Sequence, residues 1–402
     1  MKREAGAGAG LAILLAGLAA LGPFCIDTYL PSFPEIGASL NASPLAVQQT
    51  LTAYMLPYAI MALWHGAISD ALGRRLVILV TLALFAVVSL GAAFATGIEQ
   101  LWLLRAAQGL LAGAGAVIGR AIVRDLFDGP QAQRLISHVA MTFAIAPAIA
   151  PIIGGWLHTW FGWRSVFVLL AGLAALLWFC SQRWLPETLP PEKRQSLHPS
   201  YLAKAYWQVL TSPAFLAVSL AVGLNFVGFF VYILSAPVFM LQHLGVSERG
   251  FFWLFGPAMA GLMLGSWISA RFAGKRTPAA AVRRGYALMG SAAVANLLIS
   301  GLLPPVLPWS VAPVFVYTLG MSLTMPSLTL AGLDLFPDRR GLASSCQTFL
   351  QSLCSALVAG VLAPLLWDSP LHLALGMAGL LAGGAACTGL HARLSRQRNA
   401  SS

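Results

Sequence analysis

Charged side chains are scarce in this chain of 402 residues. Only 9% of the residues are Asp, Glu, Lys or Arg, whereas a soluble globular domain carries about 25%. Acidic residues are the scarcer sign, with 13 Asp and Glu against 24 Lys and Arg. Low charge excludes an ordinary soluble enzyme and a disordered chain. Five cysteines without a CxxC pair or a metal-ligand spacing exclude a disulfide scaffold and indicate no metal site.

The sequence consists mainly of long runs of apolar residues. Hydrophobic residues make up 58% of the chain, and a helix that crosses a bilayer needs about 20 mainly apolar residues. The sequence therefore predicts an all-α polytopic membrane protein with twelve transmembrane helices. The predicted spans are 8–30, 45–66, 76–96, 100–120, 134–158, 162–182, 213–240, 250–272, 281–302, 308–330, 342–366 and 370–392.

Basic residues indicate how these helices are oriented. Loops on the cytoplasmic side of a membrane carry an excess of Lys and Arg. With the N-terminus inside, 21 of the 24 Lys and Arg fall on the inner side, Arg164 and Arg249 fall outside, and Arg105 lies within a span. We therefore expect both termini in the cytoplasm. We also expect the first apolar run to remain as a helix, since cleaving it as a signal peptide would invert every later loop.

A polar stretch divides the spans into two sets of six. Residues 183–212 contain four prolines and scattered charges, a composition typical of a linker. The sequence predicts an N-terminal six-helix bundle over 1–182, a cytoplasmic linker over 183–212 and a C-terminal six-helix bundle over 213–402. Two repeated bundles that meet around a site near the bilayer midplane are a recurrent transporter plan.

Asp27 is the one acidic residue inside a predicted span with no loop beside it. A carboxylate in hydrocarbon costs about 2.5–3.5 kcal/mol on insertion scales, so such a group usually faces a cavity and has a function. Helix 1 runs outward and helix 4 runs inward, which places Asp27 and Arg105 at similar depth as partners. We interpret both as proton-coupling residues. The alternatives are an Asp27 that caps the loop at Pro31 and an Arg105 that is permanently paired for structure.

The connection between helices 2 and 3 reads G-A-I-S-D-A-L-G-R-R over residues 66–75. Its glycines allow a tight turn and close helix approach, and its aspartate can pair with cations or cap a helix. We interpret the segment as a gating motif, a latch that holds the two bundles together in one of two conformations and opens in the other; a cytoplasmic turn with orienting arginines is the alternative. The residues of this gating motif are Gly66, Asp70, Gly73, Arg74 and Arg75.

Helix 5 combines Pro147 and Pro151 with Gly154 and Gly155. Each proline removes a backbone donor and favours a bend, while the glycines offer a smooth surface to a facing helix. The pattern predicts a kinked, closely packed helix that pivots and seals against ion leak. Prolines and glycines are also common in membrane helices generally, which is the plainer interpretation.

These motifs resemble those of the major facilitator superfamily. The gating motif is similar to its signature loop, written G-x-x-x-D-x-x-G-R-R, and residues 104–109 are similar to the intramembrane arginine motif of its twelve-helix drug:proton antiporters. Residues 146–155 resemble the antiporter motif of the same group, with Ala150 where a glycine is typical. Residues 27–34, together with shorter stretches at 47–50 and 120–125, are close to the bicyclomycin/chloramphenicol resistance subfamily.

The resemblance implies a proton-coupled antiporter that exports drug-like small molecules across the bacterial inner membrane by alternating access. A proton from outside displaces the cargo at Asp27, and release of that proton inside restores the charge. The proton gradient supplies the energy, so no cofactor, metal or nucleic acid is expected, and the protein is expected to be a monomer. The alternative cargo is an endogenous metabolite such as a nucleoside, siderophore or amino-acid-like compound, with drug efflux as a side activity.

Aromatic, methionine and amide side chains near the middle of four spans form the candidate drug site. Large polarisable side chains adapt to varied cargo, and a few polar atoms set its orientation. Packing between helices is the alternative role for each of them. The candidates are Tyr54, Met55, Tyr58, Gln108, Asn225, Phe226, Phe229, Tyr232, Tyr317 and Met321.

An integral membrane enzyme is the competing class of protein. It would need a catalytic group within the bundle, and the sequence has neither an HExxH zinc motif nor a His/Asp cluster inside its spans. A nucleotide-driven pump is disfavoured because no GxxxxGK[ST] loop is present.

Overall fold

The computed structural model describes residues 2–127, 146–194, 199–272 and 277–401, and these ranges contain helices and no strand. The chain divides into two compact units, Met1–His198 and Pro199–Ser402. The helices of the first unit are α1 (Lys2–Asp27), α2 (Phe33–Ser39), α3 (Pro44–Leu72), α4 (Arg74–Ala93), α5 (Ile98–Ala112), α6 (Ala114–Leu126), α7 (146–161) and α8 (Arg164–Trp184).

The second unit is also helical. Two π-helical turns, Pro237–His243 and Val358–Leu362, interrupt its longer helices. The α-helices of this unit are α9 (Pro199–Leu210), α10 (Pro213–Leu234), α11 (Phe252–Phe272), α12 (Pro278–Leu302), α13 (Ala312–Asp334), α14 (Arg340–Leu357), α15 (Ala363–Leu366) and α16 (Pro370–Ser401).

Eleven helical stretches in the described part of the chain are long and apolar enough to cross a bilayer. They correspond to eleven of the twelve predicted spans. The remaining one, 134–158, begins outside the described residues, and its described part belongs to α7. Large apolar side chains such as Leu103, Phe179 and Leu365 are exposed, as expected where the solvent is lipid. The all-α membrane fold is therefore confirmed.

The first span is longer than predicted, Gly10–Ser39, and a short turn interrupts its helix. α1 ends at Asp27, a 3-10 turn covers Leu30–Ser32, and α2 follows directly. Pro31 and Pro34 explain the join, because each lacks an N–H for the preceding helix and suits the first turn of a new one. Glu35, which falls in a loop in the sequence prediction, lies on α2.

The predicted linker 183–212 contains the helix α9. Ala205 and Val209 on this helix are buried and Trp207 is exposed, so α9 has an apolar inner face and an outer face. Arg339 Nη1 donates to Gln208 Oε1 at 3.0 Å, which fixes α9 to the start of α14. The second half of the linker is thus an ordered element of the C-terminal unit.

Two glycines bring the helices of the N-terminal unit into backbone contact. A Cβ at Gly109 on α5 would overlap the carbonyl oxygen of Tyr54 on α3. A Cβ at Gly115 on α6 would overlap the carbonyl oxygen of Leu18 on α1. Small residues permit such close approach in membrane bundles. The side chains next to these contacts are therefore pressed together in the core of the unit.

Candidate functional site

Arg105 lies on α5 and is fully buried. Its Nη1 donates to Gln108 Oε1 at 2.9 Å, to Cys25 Sγ at 2.9 Å and to the carbonyl oxygen of Cys25 at 3.3 Å. The rings of Tyr29 and Tyr54 lie 4.7 Å and 4.5 Å from the guanidinium carbon. Desolvated cation–π contacts contribute about 2 kcal/mol or more each. We call this cluster the arginine cage, because it holds a cation inside the unit. Its members are Arg105, Gln108, Cys25, Tyr29 and Tyr54.

A second set of hydrogen bonds fixes the arginine cage. The hydroxyl of Tyr54 donates to a carbonyl oxygen of α1 at 2.9 Å. The hydroxyls of Tyr29 and Thr50 lie 2.9 Å apart, and Gln108 Nε2 donates to Ser89 Oγ at 2.8 Å. Because α1, α3, α4 and α5 each supply a partner, the guanidinium has little freedom to move.

Asp27 is the last residue of α1 and is buried. Its carboxyl has no hydrogen-bond or ion-pair partner among the described residues, and the expected pair with Arg105 is not formed. The cause is helix geometry. Cys25 and Asp27 are two positions apart, which is about 200° of rotation around the helix axis. α1 therefore turns Cys25 toward the guanidinium and Asp27 away from it.

α7 contacts the chain at Thr28, directly after the end of α1 at Asp27. A Cβ at Gly154 would overlap the carbonyl oxygen of Thr28, so the close packing predicted for this helix is present at Gly154. The carbonyl oxygen of Gly155 accepts from Thr159 Oγ1 at 2.7 Å. α7 is helical through both Pro147 and Pro151. Pivoting and sealing stay predictions.

The gating motif covers the end of α3 and the start of α4. Gly73 joins the two helices with φ of 102°, a conformation that favours glycine. Arg74 pairs with Asp70 one turn earlier, and its Nε lies 3.2 Å from Asp125 Oδ2 at the end of α6. Arg75 Nη2 donates to a carbonyl oxygen near the end of α8 at 2.7 Å. The motif is therefore bound to α6 and α8.

Glu187, just after α8, binds the gating motif and was missed by the sequence analysis. Its Oε1 accepts from the N–H of Arg74 at 3.0 Å, and its Oε2 accepts from the N–H of Arg75 at 3.3 Å. An anion at this position satisfies free N–H groups and interacts favourably with the helix dipole. Thr188 Oγ1 also donates to Asp125 Oδ2 at 2.8 Å. The sequence shows that an acidic residue follows a predicted span, but it does not show that this side chain binds the backbone at Arg74 and Arg75.

Replacing Glu187 by Ala should lower the thermal stability of the purified protein. The variant leaves two N–H groups at the start of α4 without their carboxylate, and loss of a helix cap costs about 0.5–2 kcal/mol. Thermal unfolding in detergent measures the effect. Glu192→Ala is the matched control, because Glu192 is exposed and makes no side-chain contact within the described ranges. Equal melting temperatures for the two variants would contradict the capping role.

Three N-terminal candidates for the drug site lie at or next to the arginine cage. Tyr54 and Gln108 belong to it, and Tyr58 stacks on Tyr54 with ring centroids 6.0 Å apart. Met55 is buried on the same helix. The structure thus brings Tyr54, Tyr58 and Gln108 together, near α1 and Arg105.

Two candidates of the C-terminal unit share a hydrogen-bond network. Tyr317 on α13 donates to the carbonyl oxygen of Asn225 at 3.1 Å. Asn225 Nδ2 donates to the hydroxyl of Tyr286 at 2.8 Å, and that hydroxyl lies 2.6 Å from Thr388 Oγ1. Tyr286 was missed in the sequence analysis, although a tyrosine in an apolar span is a signal for such a network.

The other C-terminal candidates lie in separate contacts of the same unit. Asn296 Nδ2 donates to the hydroxyl of Tyr232 at 2.8 Å. The rings of Phe226 and Phe229 are 5.3 Å apart, and Met321 is buried on α13. Of all ten candidates, Tyr58 and Phe226 alone have a partly exposed side chain in this structure.

Comparison with protein families and with named proteins identifies the family and several relatives of this chain. Residues 12–359 match the model of the Major Facilitator Superfamily. The chain is 35% identical over 351 residues to the uncharacterized MFS-type transporter YdgK of Bacillus subtilis, covering 87% of each chain. It is 29% identical to multidrug resistance protein D of Escherichia coli, covering 95% of each chain. It is also 31% identical to a bicyclomycin resistance protein homolog of Haemophilus influenzae, covering 64% of this chain and 65% of that one.

Solved structures support the fold. The human organic anion transporter MFSD10 superposes with a TM-score of 0.69 at 18% identity, covering 96% of this chain and 99% of that one. At this identity the likeness concerns the fold alone.

Proposed function

The chain belongs to the major facilitator superfamily, and from that premise we propose that it is a proton-coupled antiporter that exports drug-like small molecules. It is a multi-pass transporter of the bacterial inner membrane rather than an enzyme. The predicted resemblance to the bicyclomycin/chloramphenicol resistance subfamily is confirmed by its relatives. Their names support a drug-like cargo, bicyclomycin in the case of the Haemophilus influenzae relative. We propose a cargo of the chloramphenicol or bicyclomycin type that is carried by alternating access.

The buried carboxyl of Asp27 carries the proposal. It has no hydrogen-bond or ion-pair partner in the described part of the protein, and an ionised carboxylate in that setting is costly. A neutral carboxylic acid, or a carboxylate that binds a polar or cationic group of the cargo, is the less costly alternative. Proton and cargo therefore compete for one group, which is the requirement for exchange.

Arg105 complements this group without pairing with it. The arginine cage keeps its positive charge in the unit, two residues from Asp27 along α1 through the contact with Cys25. The guanidinium does not neutralise the Asp27 carboxylate; its proposed part in proton coupling is to hold the end of α1 through Cys25.

The moving parts are the two bundles predicted over 1–182 and 213–402, with the linker and both termini in the cytoplasm. We propose that the gating motif stabilises one of the two conformations; its bonds to α6 and α8 lie within the N-terminal unit and fix the position of the motif there. Tyr58 and Phe226 stay candidate cargo contacts, each within its own unit, and their side chains are partly exposed while the other candidates are buried.

Transport by everted membrane vesicles tests the proposal. Vesicles that contain the protein should accumulate radiolabelled chloramphenicol when a proton gradient is imposed, and a protonophore should abolish the accumulation. The membrane potential adds about 2.3 kcal/mol per 100 mV for each net charge moved. Vesicles without the protein are the control. Accumulation that requires ATP or sodium and ignores the protonophore would reject proton antiport.

A further inference from the structure

A second acidic residue of the N-terminal unit faces a histidine. Oε2 of Glu35 on α2 lies 2.8 Å from Nδ1 of His158 on α7. The same oxygen accepts from the N–H of Trp163 at 2.9 Å. Gly162 turns the chain there with φ of 75°, and a Cβ at that position would lie 3.1 Å from Glu35 Oε1. The Glu35 carboxyl is thus held in one place by α7 and the turn that follows it.

His158 lies one helical turn beyond Gly154, the residue of α7 that contacts the chain directly after Asp27. His158 is four residues after Gly154, so the two share a face about 6 Å apart. Gly154 is the residue that contacts Thr28, the neighbour of Asp27. Exposure decreases in the same direction: the side chains of Glu35 and His158 are 41% and 14% exposed, and Asp27 is 3% exposed. The exposed fraction therefore falls from Glu35 through His158 to the buried carboxyl of Asp27.

The other charged group next to the pair is Arg164 on α8. Its guanidinium carbon lies 4.3 Å from the ring of Trp163, and its nitrogens donate to Ser39 Oγ and the carbonyl oxygen of Ala95 at 3.3 Å and 3.2 Å. Within the described ranges it forms no ion pair with Glu35. The basic group that Glu35 faces is thus His158, an imidazole that carries a positive charge only when it is protonated.

We propose that Glu35 and His158 form a proton-uptake relay that loads Asp27, an inference that rests on the proposed function. Imidazole binds a proton at one nitrogen and releases one from the other. A hydronium ion protonates His158, whose imidazolium the Glu35 carboxylate stabilises. The imidazolium then transfers a proton to the Asp27 carboxylate, which leaves neutral imidazole and a neutral carboxylic acid. No other reactant is required.

His158→Gln removes the titrating group and keeps the local structure. Glutamine retains an N–H donor for Glu35 but cannot bind a proton, and Glu35→Gln retains an acceptor for the N–H of Trp163. His372→Gln is the matched control, since His372 is exposed and lies on α16 of the other unit. Thermal unfolding of each purified variant verifies that it folds.

The measurement is the initial rate of chloramphenicol accumulation in everted vesicles as a function of lumen pH. The lumen corresponds to the cell exterior, and its pH is varied from about 5.5 to about 8, on either side of the ordinary histidine pKa of about 6.5. A relay through an imidazole takes its protons from the lumen, so it should slow as the lumen pH rises. The wild-type rate should therefore fall over this range, and the His372→Gln rate should fall in the same way.

His158→Gln should lose that dependence on lumen pH and transport more slowly at acidic lumen pH. Glu35→Gln removes the carboxylate that stabilises the imidazolium, so it should also transport more slowly there. Unchanged profiles in both variants, with accumulation still sensitive to the protonophore, would overturn the relay and leave the antiport intact. Wild-type accumulation that responds to neither lumen pH nor the protonophore would overturn both.

Discussion

Asp27→Asn is expected to abolish proton-driven export while the protein stays folded. Asparagine has nearly the shape of aspartate but cannot exchange a proton, so cargo and proton no longer compete for the site. Stability should be kept because the carboxyl has no partner to lose among the described residues, and a neutral amide is less costly in a bundle than a carboxylate. Addition of chloramphenicol to unbuffered, detergent-solubilised protein should release protons from the wild type and none from the variant.

The matched control for this result is Glu99→Gln. Glu99 is an exposed acid in the first turn of α5, so its loss changes the charge of the unit without touching the buried site. It should release protons and transport chloramphenicol as the wild type does. Proton release of wild-type size from Asp27→Asn would remove Asp27 from the coupling role.

Gly154→Ala is expected to have the second large effect, a loss of both stability and export. The added Cβ would overlap the carbonyl oxygen of Thr28, so α7 and the end of α1 must move apart. Overpacking of this kind costs about 1–3 kcal/mol, and it displaces the turn that carries Asp27. Thermal unfolding and vesicle transport measure the two consequences.

Gly172→Ala separates the clash from the general effect of the substitution. Gly172 lies on α8 of the same unit, and a Cβ there would meet no atom within 4 Å. Alanine stabilises a helix interior by up to about 1 kcal/mol relative to glycine, so this variant should be at least as stable as the wild type. If Gly154→Ala matched Gly172→Ala in thermal stability and in transport, the close contact between Gly154 and Thr28 would be disproved.

Most of the fold could be predicted because span length is a direct consequence of bilayer thickness. The sequence prediction failed where a different rule decides. Pro31 and Pro34 each begin a new helical turn in the first span, so apolar character continues while the helix is broken. In the linker, α9 is stabilised by an amphipathic face around Ala205 and Val209 rather than by a long apolar run.

The sequence marks Asp27 and Arg105 as candidates for the site, but it does not determine which side chains pair with them. Depth in the membrane places Asp27 and Arg105 at one level, yet the rotation of α1 decides that Cys25 contacts the guanidinium. A sequence gives depth from counting residues, but it does not give rotation, which depends on packing against neighbours. The contacts of Glu187 were hidden for a related reason, since its partners lie more than a hundred residues away.

The sulfur of Cys25 makes the arginine cage accessible to kinetic measurement. Sγ is fully buried against Nη1 of Arg105, so an alkylating reagent reaches it only while the cage is open. In a variant whose other four cysteines are serine, the alkylation rate would count these openings under working conditions. Cargo or protons that change the rate would thereby reveal how the transport cycle loosens this part of the protein.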